Sequence, residues 1–156
     1  MPTAGRRDRR HAALAGAAAI VLGVLVAARA GAEEESLHAL AARDAVARLA
    51  QEINAGVPVD GRDENGQTAL HVAVKQVHLF AVMMLIAKGA DPNSRDRAKR
   101  TPLHLAADGE SRTEGERFQI VKLLVAKGAD LRARDAAGKR PVDYARVREF
   151  KEVLEP

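Results

Sequence analysis

Cysteine and tryptophan are absent from the 156-residue chain, which has one tyrosine and three phenylalanines. Without cysteine the chain forms no disulfide and no thiolate zinc site, and it has no cysteine nucleophile. So few aromatic rings argue against a base-stacking surface for single-stranded nucleic acid and against an aromatic cage. A chain of this length accommodates one ordinary domain with an appendage, which is too little for an enzyme with a separate cofactor domain.

Positive charge is concentrated at the N-terminus. The formal net charge of the whole chain is +4, and residues 1–32 alone account for it. In that segment one acid, Asp8, is opposed by five arginines: Arg6, Arg7, Arg9, Arg10 and Arg29. Residues 33–156 are formally neutral, so the basic composition gives no reason to expect that this part of the chain binds nucleic acid.

Residues 1–32 have the three-part layout of a secretory signal peptide. The arginine-rich start is followed by an uncharged run at 12–28 and then by small residues that suit cleavage after Ala30 or Ala32. As a helix the run would be about 26 Å long, slightly short of the roughly 30 Å hydrocarbon core of a bilayer. The sequence predicts a cleaved signal peptide; an uncleaved membrane anchor and a disordered tail are the alternatives.

The composition also favours a cellular location. Alanine and arginine are abundant in the N-terminal segment, and the cleavage sites are of the A-x-A kind. These features favour a bacterial chain whose body is periplasmic or secreted. If the N-terminal segment is retained, the body is instead anchored to the inner membrane and faces the periplasm.

A block of sequence occurs twice at an offset of 33 residues. Residues 63–73 match residues 96–106, and the Leu-His pair inside the block is found once more at Leu37 and His38. Repeats of this period indicate stacked supersecondary units, because one helix pair cannot bury its apolar stripe alone.

Further along the chain the offset grows to 39. The sequence Lys-Gly-Ala-Asp at 88–91 reappears at 127–130, so six residues are inserted within Gly109 to Glu116. The insertion is polar and contains two glycines, which predicts a mobile loop. It is either a tolerated surface insertion or part of a binding face, since extra loop length in repeat proteins maps to one face.

The repeated block resembles the ankyrin repeat. Residues 101–106 match the T-P-L-H-x-A signature in full, and residues 68–73 match it with one change. The second helix of the pattern, which ends in L-L-x-x-G-A-D, corresponds to residues 85–91 and 124–130. Two well-matched repeats and two degenerate flanks cover roughly residues 36–155.

The resemblance implies an all-α solenoid of about four helix-turn-helix units with short β-hairpin fingers, preceded by the N-terminal signal or hydrophobic helix. The predicted domains are 1–32 for the signal peptide or anchor and 33–156 for the repeats. The units are approximately 36–62, 63–95, 96–134 with the insertion 109–116, and 135–155.

Individual residues suit this fold. Thr68 and Thr101 stand where a hydroxyl caps a helix start, and Pro102 occupies the first helical position. Gly89 and Gly128 follow the second helices, where a left-handed cap favours glycine.

Three histidines, His38, His71 and His104, invite a metal interpretation. They occupy the same place in successive units, however, and packed helices lie about 8–10 Å apart, too far for shared zinc ligation. We expect them to bond locally to the backbone and to the preceding threonine. The sequence contains no nucleophile arrangement and no phosphate-binding loop, so we expect no enzymatic activity, no metal and no cofactor.

Candidate partner-binding residues fall into three groups. Basic side chains gather at the second and third finger tips, as a positive stripe or as solvated turns balanced by acids. The inner helices add a second group, and an apolar pair on the outer helix forms either a sticky patch or a surface covered by the insertion loop. The candidates are Arg97, Lys99, Arg100 and Lys139 at the tips, Val72, Gln76, Leu105 and Asp108 on the inner-helix surface, and Phe80 and Met83 on the outer helix.

The sequence therefore predicts a monomeric, non-catalytic module that binds another protein in the periplasm, as adaptor, accessory or inhibitor. The resemblance implies recognition through the concave surface made by fingers and inner helices. The alternative is a membrane-tethered docking platform with an uncleaved N-terminal anchor. No nucleic-acid partner is expected, and membrane contact is expected only if the anchor is retained.

Overall fold

The computed structural model describes residues 35–109, 114–146 and 148–155. The predicted signal peptide or anchor at 1–32 lies outside these residues. Within them, no helix is both long enough and apolar enough to cross a membrane.

Helices follow one another along the described chain with short connections. The eight helices are α1 Leu37–Ala42, α2 Val46–Asn54, α3 Ala69–Lys75, α4 Leu79–Ala87, α5 Pro102–Ala107, α6 Glu114–Ala126, α7 Pro141–Tyr144 and α8 Arg148–Leu154. They form four pairs, each made of an inner helix and the outer helix that follows it.

The pairs stack in chain order, as the repeat predicted. The inner helices α1, α3, α5 and α7 pack one against the next, and so do the outer helices α2, α4, α6 and α8. Leucines at matching positions are fully buried, Leu70 and Leu103 in the inner row and Leu85 and Leu124 in the outer row. The all-α solenoid is thus confirmed for the described residues, and its core is continuous from pair to pair.

The fingers differ from the prediction, because the described residues contain no β-strand. Each finger is a five-residue turn whose ends are joined by one backbone bond, such as Asp96 N–H to the Arg100 carbonyl at 3.0 Å. Only the first finger contains an isolated bridge, between Arg62 and Thr68. A turn this short has no room for a ladder of backbone hydrogen bonds. The aspartate carboxylate supplies a further bond across the turn instead: Asp96 Oδ1 accepts from the Arg100 N–H at 2.9 Å.

The last residues of the insertion are helical. By repeat equivalence α6 should begin at Phe118, the counterpart of Leu79, but it begins at Glu114. The prediction of a mobile loop across Gly109 to Glu116 is therefore wrong for its last three residues, which form an additional helical turn. Acidic side chains at Glu114 and Glu116 suit the positive end of the helix dipole. Residues 110–113 lie outside the described part of the chain.

Threonine and histidine join the inner helices α3 and α5 to the finger that follows each of them. Thr68 is the N-cap of α3, and its N–H donates to His71 Nδ1 at 3.2 Å, with the Thr68 hydroxyl 2.9 Å from the same nitrogen. The other ring nitrogen, Nε2, donates to the Arg100 carbonyl of the next finger at 3.1 Å. Since Nδ1 accepts, the ring is neutral with its proton on Nε2.

The same arrangement recurs one repeat later. His104 Nδ1 accepts from the Thr101 N–H at 3.1 Å, and its Nε2 donates to the Lys139 carbonyl at 3.1 Å. His38 Nε2 lies 2.8 Å from the Gln67 carbonyl, although no threonine precedes it. The predicted bond to the preceding threonine is confirmed for His71 and His104. The bond to the following finger, which sequence reasoning missed, connects the repeats.

We predict that stability rises with pH around neutrality. Burial lowers the pKa of His71 and of His104, so the unfolded chain binds more protons near the ordinary histidine pKa of about 6.5. The free energy of unfolding should fall as pH decreases from about 7.5 to 5.5, by at most about 1.4 kcal/mol per pH unit for each such histidine. Urea unfolding at several pH values measures this.

A variant with His71→Gln and His104→Gln serves as the control. It should be less stable at pH 7.5 and should show a shallower dependence on pH. Hydrogen bonds lower the pKa of Asp63, Asp135 and Asp143, so these groups add nothing between pH 5.5 and 7.5. An equal slope in the wild type and the double variant would contradict the assignment to these histidines.

Candidate protein-interaction surface

Arg97 is held at the tip of the second finger by the first finger. Its backbone N–H donates to the Asn65 carbonyl at 3.1 Å. The stem of its side chain lies against Gly66, since a Cβ placed on that glycine would be 3.2 Å from Arg97 Cγ. Arg97 as a whole is exposed. The tip therefore presents a positively charged side chain whose backbone and first carbons are held in place by the first finger.

Lys99 occupies a backbone conformation that normally belongs to glycine. Its φ is 58°, and the equivalent positions of the first and third fingers are Gly66 with φ 71° and Gly138 with φ 76°. A side chain with a Cβ is disfavoured in this left-handed region. The second finger thus carries an exposed lysine at a cost in stability, and strain of this kind concentrates at functional positions.

Arg100 is largely neutralised. Its Nε and Nη2 donate to Asp96 Oδ2 at 3.2 and 3.1 Å, and the carboxylate is buried. A paired, forked contact of this kind holds the guanidinium in place. Arg100 consequently supports the second finger more than it offers a free charge.

Lys139 lies against an aromatic ring at the third finger. Its Nζ is 5.3 Å from the centre of the Tyr144 ring, and the Tyr144 hydroxyl donates to Asp135 Oδ2 at 2.5 Å. This hydrogen bond raises the pKa of Tyr144 to about 12, and it holds the pKa of Asp135 below its usual range. The ammonium group is exposed and is oriented by the ring.

A row of arginines joins the bases of the three fingers. Arg62 Nη1 donates to the Gly66 carbonyl at 2.9 Å and also to the Arg95 carbonyl. Arg95 Nη1 in turn donates to the Arg134 carbonyl at 3.1 Å, and Arg134 Nη1 to the Gly138 carbonyl at 2.7 Å. The three arginines follow the repeat offsets of 33 and 39, a signal that the sequence contained. They fix neighbouring fingers to each other and add positive charge beside the tips.

The inner-helix candidates divide into accessible and inaccessible residues. Gln76 and Asp108 are exposed and Val72 is half-buried. Leu105, predicted to lie on the same surface, is instead buried, with 7% of its surface exposed. It therefore offers a partner little contact area.

The buried side chain of Arg117 contacts the same end of α5, a contact that was not predicted from the sequence. Arg117 Nη1 donates to the carbonyls of Leu105 and Ala106 at 3.2 and 3.3 Å, at the end of α5. Burial lowers the pKa of Arg117. Gly109 leaves room for the guanidinium, because a Cβ there would lie 1.7 Å from Arg117 Cζ. The additional turn of α6 thus supplies a cation to the carbonyl end of α5.

Phe80 and Met83 are exposed on α4, by 67% and 49% respectively. Their counterparts on α6, Gln119 and Lys122, are also exposed, which confirms that this is the solvent side of the outer helix. The alternative that the insertion loop within 109–116 covers the pair stays a prediction, because residues 110–113 of that loop lie outside the described chain.

Known proteins share this repeat. The sequence model of the family described as Ankyrin repeats (3 copies) matches residues 11–135. The chain belongs to the ankyrin-repeat family. Ankyrin repeats are protein-interaction modules that are typically non-catalytic. In this chain the blocks Thr-Ala-Leu-His at 68–71 and Thr-Pro-Leu-His at 101–104 supply the bonds between inner helices and fingers.

Curated relatives match over single stretches. Human NF-kappa-B inhibitor zeta is 44% identical over 55 residues, which cover 33% of this chain and 8% of that protein. Arabidopsis thaliana acyl-CoA-binding domain-containing protein 2 is 37% identical over 57 residues, 36% of this chain and 16% of the relative. Mouse inactive serine/threonine-protein kinase TEX14 is 38% identical over 74 residues, 47% of this chain and 5% of the relative. The ankyrin chain thus aligns with only a small part of each relative.

No metal site accompanies the ankyrin histidines in the described residues, which contain no group of three or more His, Asp or Glu side chains placed to hold an ion. The candidate interaction surfaces among the described residues are the finger tips, the exposed ends of the inner helices and the apolar pair on α4.

We predict that Lys99→Gly stabilises the protein by about 1 kcal/mol, because glycine relieves the left-handed backbone strain. The matched control is Gly138→Ala, which should destabilise by a similar amount. No atom lies within 4 Å of a Cβ at Gly138, so the substitution tests the backbone alone. Urea midpoints at unchanged slope measure both changes. A loss of stability in Lys99→Gly would show that the lysine side chain contributes more than its backbone costs.

Proposed function

We propose that the chain is a non-catalytic ankyrin module that holds a partner protein against its finger tips and inner helices. The observation that carries the proposal is the set of exposed cations on tips that are anchored through the backbone. The proposed partner-binding residues are Arg97, Lys99 and Lys139 at the tips, Val72, Gln76 and Asp108 along the inner helices, and Phe80 and Met83 on α4. Arg100 supports the second finger through Asp96, and the buried Leu105 is not among them.

Several features favour a protein partner over a nucleic acid. Residues 33–156 are formally neutral, so they lack the extended positive field that attracts a phosphate backbone. The cations at the tips alternate with buried, bonded aspartates such as Asp96 and Asp135. A local basic patch of this kind suits an acidic surface or segment of a protein.

The role of the module is adaptor, accessory or inhibitor. A relative whose name is NF-kappa-B inhibitor zeta supports a regulatory role over a structural one. The module acts as a monomer, and the exposed pair Phe80 and Met83 extends the interaction to the outer face.

We further propose that residues 1–32 direct export and that residues 33–156 work in the periplasm. The support is the arginine-rich start, the uncharged run and the cleavage sites after Ala30 and Ala32. The alternative, an uncleaved anchor, leaves the same module as a docking platform on the inner membrane. Both versions use the same fingers.

N-terminal sequencing of the protein from its native host separates these versions. Export with cleavage predicts a soluble periplasmic protein that starts at Gly31 or Glu33. A chain that starts at Met1 or Pro2 in the membrane fraction would support the anchor, and the same start in the cytosolic fraction would contradict export.

Charge reversal at the tips tests the binding role. Lys99→Glu together with Lys139→Glu should lower partner capture from a periplasmic extract at least tenfold, because two exposed cations are replaced by anions. The matched control reverses two exposed lysines away from the tips, Lys127→Glu directly after α6 and Lys151→Glu on α8, with the same change in net charge. Quantitative mass spectrometry of the captured proteins is the readout. Equal capture by both variants would contradict a role for the tips.

A further inference from the structure

A groove of about 360 Å³ lies between the first and second fingers, beside the end of α3. The first finger contributes Asn65 and Gln67, and the second contributes Asp96, Arg97 and Arg100. Lys75, the last residue of α3, also lines the groove. Cations therefore approach this space from two different elements.

Two of the three cations are not neutralised. The charge of Arg100 is neutralised by an ion pair with the buried Asp96 carboxylate. Lys75 and Arg97 are exposed, and within the described part of the chain no carboxylate lies at ion-pair distance from either. The groove thus has an excess of positive charge, with the side-chain amides of Asn65 and Gln67 as additional donors.

The repeat itself indicates that the scaffold does not require these cations. Lys75 corresponds to Asp108 at the offset of 33, and Arg97 corresponds to Ala136 in the third finger at the offset of 39. The third finger nevertheless makes the same backbone bond, from the Ala136 N–H to the Ala98 carbonyl at 2.9 Å. The cation pair is therefore specific to one groove of an otherwise repeated surface.

We propose that this groove binds the carboxylate of an aspartate or glutamate in an acidic segment of the partner protein. The Arg97 guanidinium offers paired N–H donors to a carboxylate, while Lys75 supplies a point charge from the end of α3. The proposal rests on the module being a protein binder, and it names the chemistry that one part of the surface recognises.

The groove fits a carboxylate better than a nucleic acid. Its lining contains no aromatic side chain on which a base can stack. The two free cations form a single local site, whereas a phosphate backbone requires a continuous row of cations. Because both cations are exposed, binding weakens as ionic strength increases.

The test uses the full chain and a defined probe, a fluorescent hexaglutamate peptide with blocked termini, with hexaglutamine as its uncharged counterpart. The variants are Arg97→Ala, which introduces the residue of the third finger, and Lys75→Met, which keeps the stem. Lys127→Met, an exposed lysine at the end of α6, is the matched control. Fluorescence anisotropy gives the dissociation constants at low and at physiological salt.

Each groove variant should bind hexaglutamate at least threefold more weakly than wild type, and the double variant at least tenfold more weakly. Lys127→Met should bind as wild type does, and hexaglutamine should not bind. The urea unfolding midpoint of every variant should match that of wild type, as expected of exposed substitutions. Equal binding by wild type and the double variant would overturn the proposal.

Two further results separate this site from the general binding role. A hexathymidylate that binds more tightly than hexaglutamate, and is lost in the double variant, would overturn the carboxylate assignment in favour of nucleic acid. The tip reversal uses Lys99 and Lys139, neither of which lines the groove. Partner capture that survives the tip reversal while hexaglutamate binding still depends on Lys75 and Arg97 would contradict the tip role and leave the groove supported.

Discussion

The hydrogen bond from a buried histidine to the carbonyl of the next finger is the interaction on which the stack depends. His71 and His104 each satisfy a helix N-terminus with one ring nitrogen and reach the following repeat with the other. A neutral ring with one fixed tautomer does both at once. The bond aligns each finger with the preceding inner helix, so the tips stand at regular intervals. Packing of the helix pairs then buries a continuous apolar core around this alignment.

The proposed binding function rests on positions at which the repeats differ from one another. The fingers share their aspartates, their arginine row and their backbone bonds, all of which are structural. The second finger departs from the others with a lysine in a glycine conformation and with Arg97 above the first finger. Variation imposed on a fixed scaffold is the usual origin of specificity in repeat proteins, since the scaffold residues themselves report only on the fold. The proposed binding chemistry accordingly rests on Lys75, Arg97, Lys99 and Lys139.

The sequence predicted the features that depend on local chemistry and on period. The repeated Thr-x-Leu-His block predicted the inner helices α3 and α5. The left-handed backbone of Lys99 was not predicted, although glycine at the matching positions, Gly66 and Gly138, was a signal for it. Features that depend on packing across the insertion were not predicted. Arg117 was not expected to reach the carbonyl end of α5, nor Leu105 to be buried, because the insertion interrupts the repeat that aligned everything else. The reduction of the fingers to single bonded turns also depends on aspartate contacts that the pattern alone does not specify.

Native-state hydrogen exchange of the threonine amides tests the role of the histidine bonds most directly. The N–H groups of Thr68 and Thr101 donate to buried ring nitrogens, so they should exchange only when the stack unfolds, with a protection free energy equal to that of global unfolding. The exposed finger residue Ala98 should exchange far faster. Exchange of Thr68 and Thr101 by local opening, at free energies well below that of global unfolding, would contradict the view that these bonds hold the repeats together.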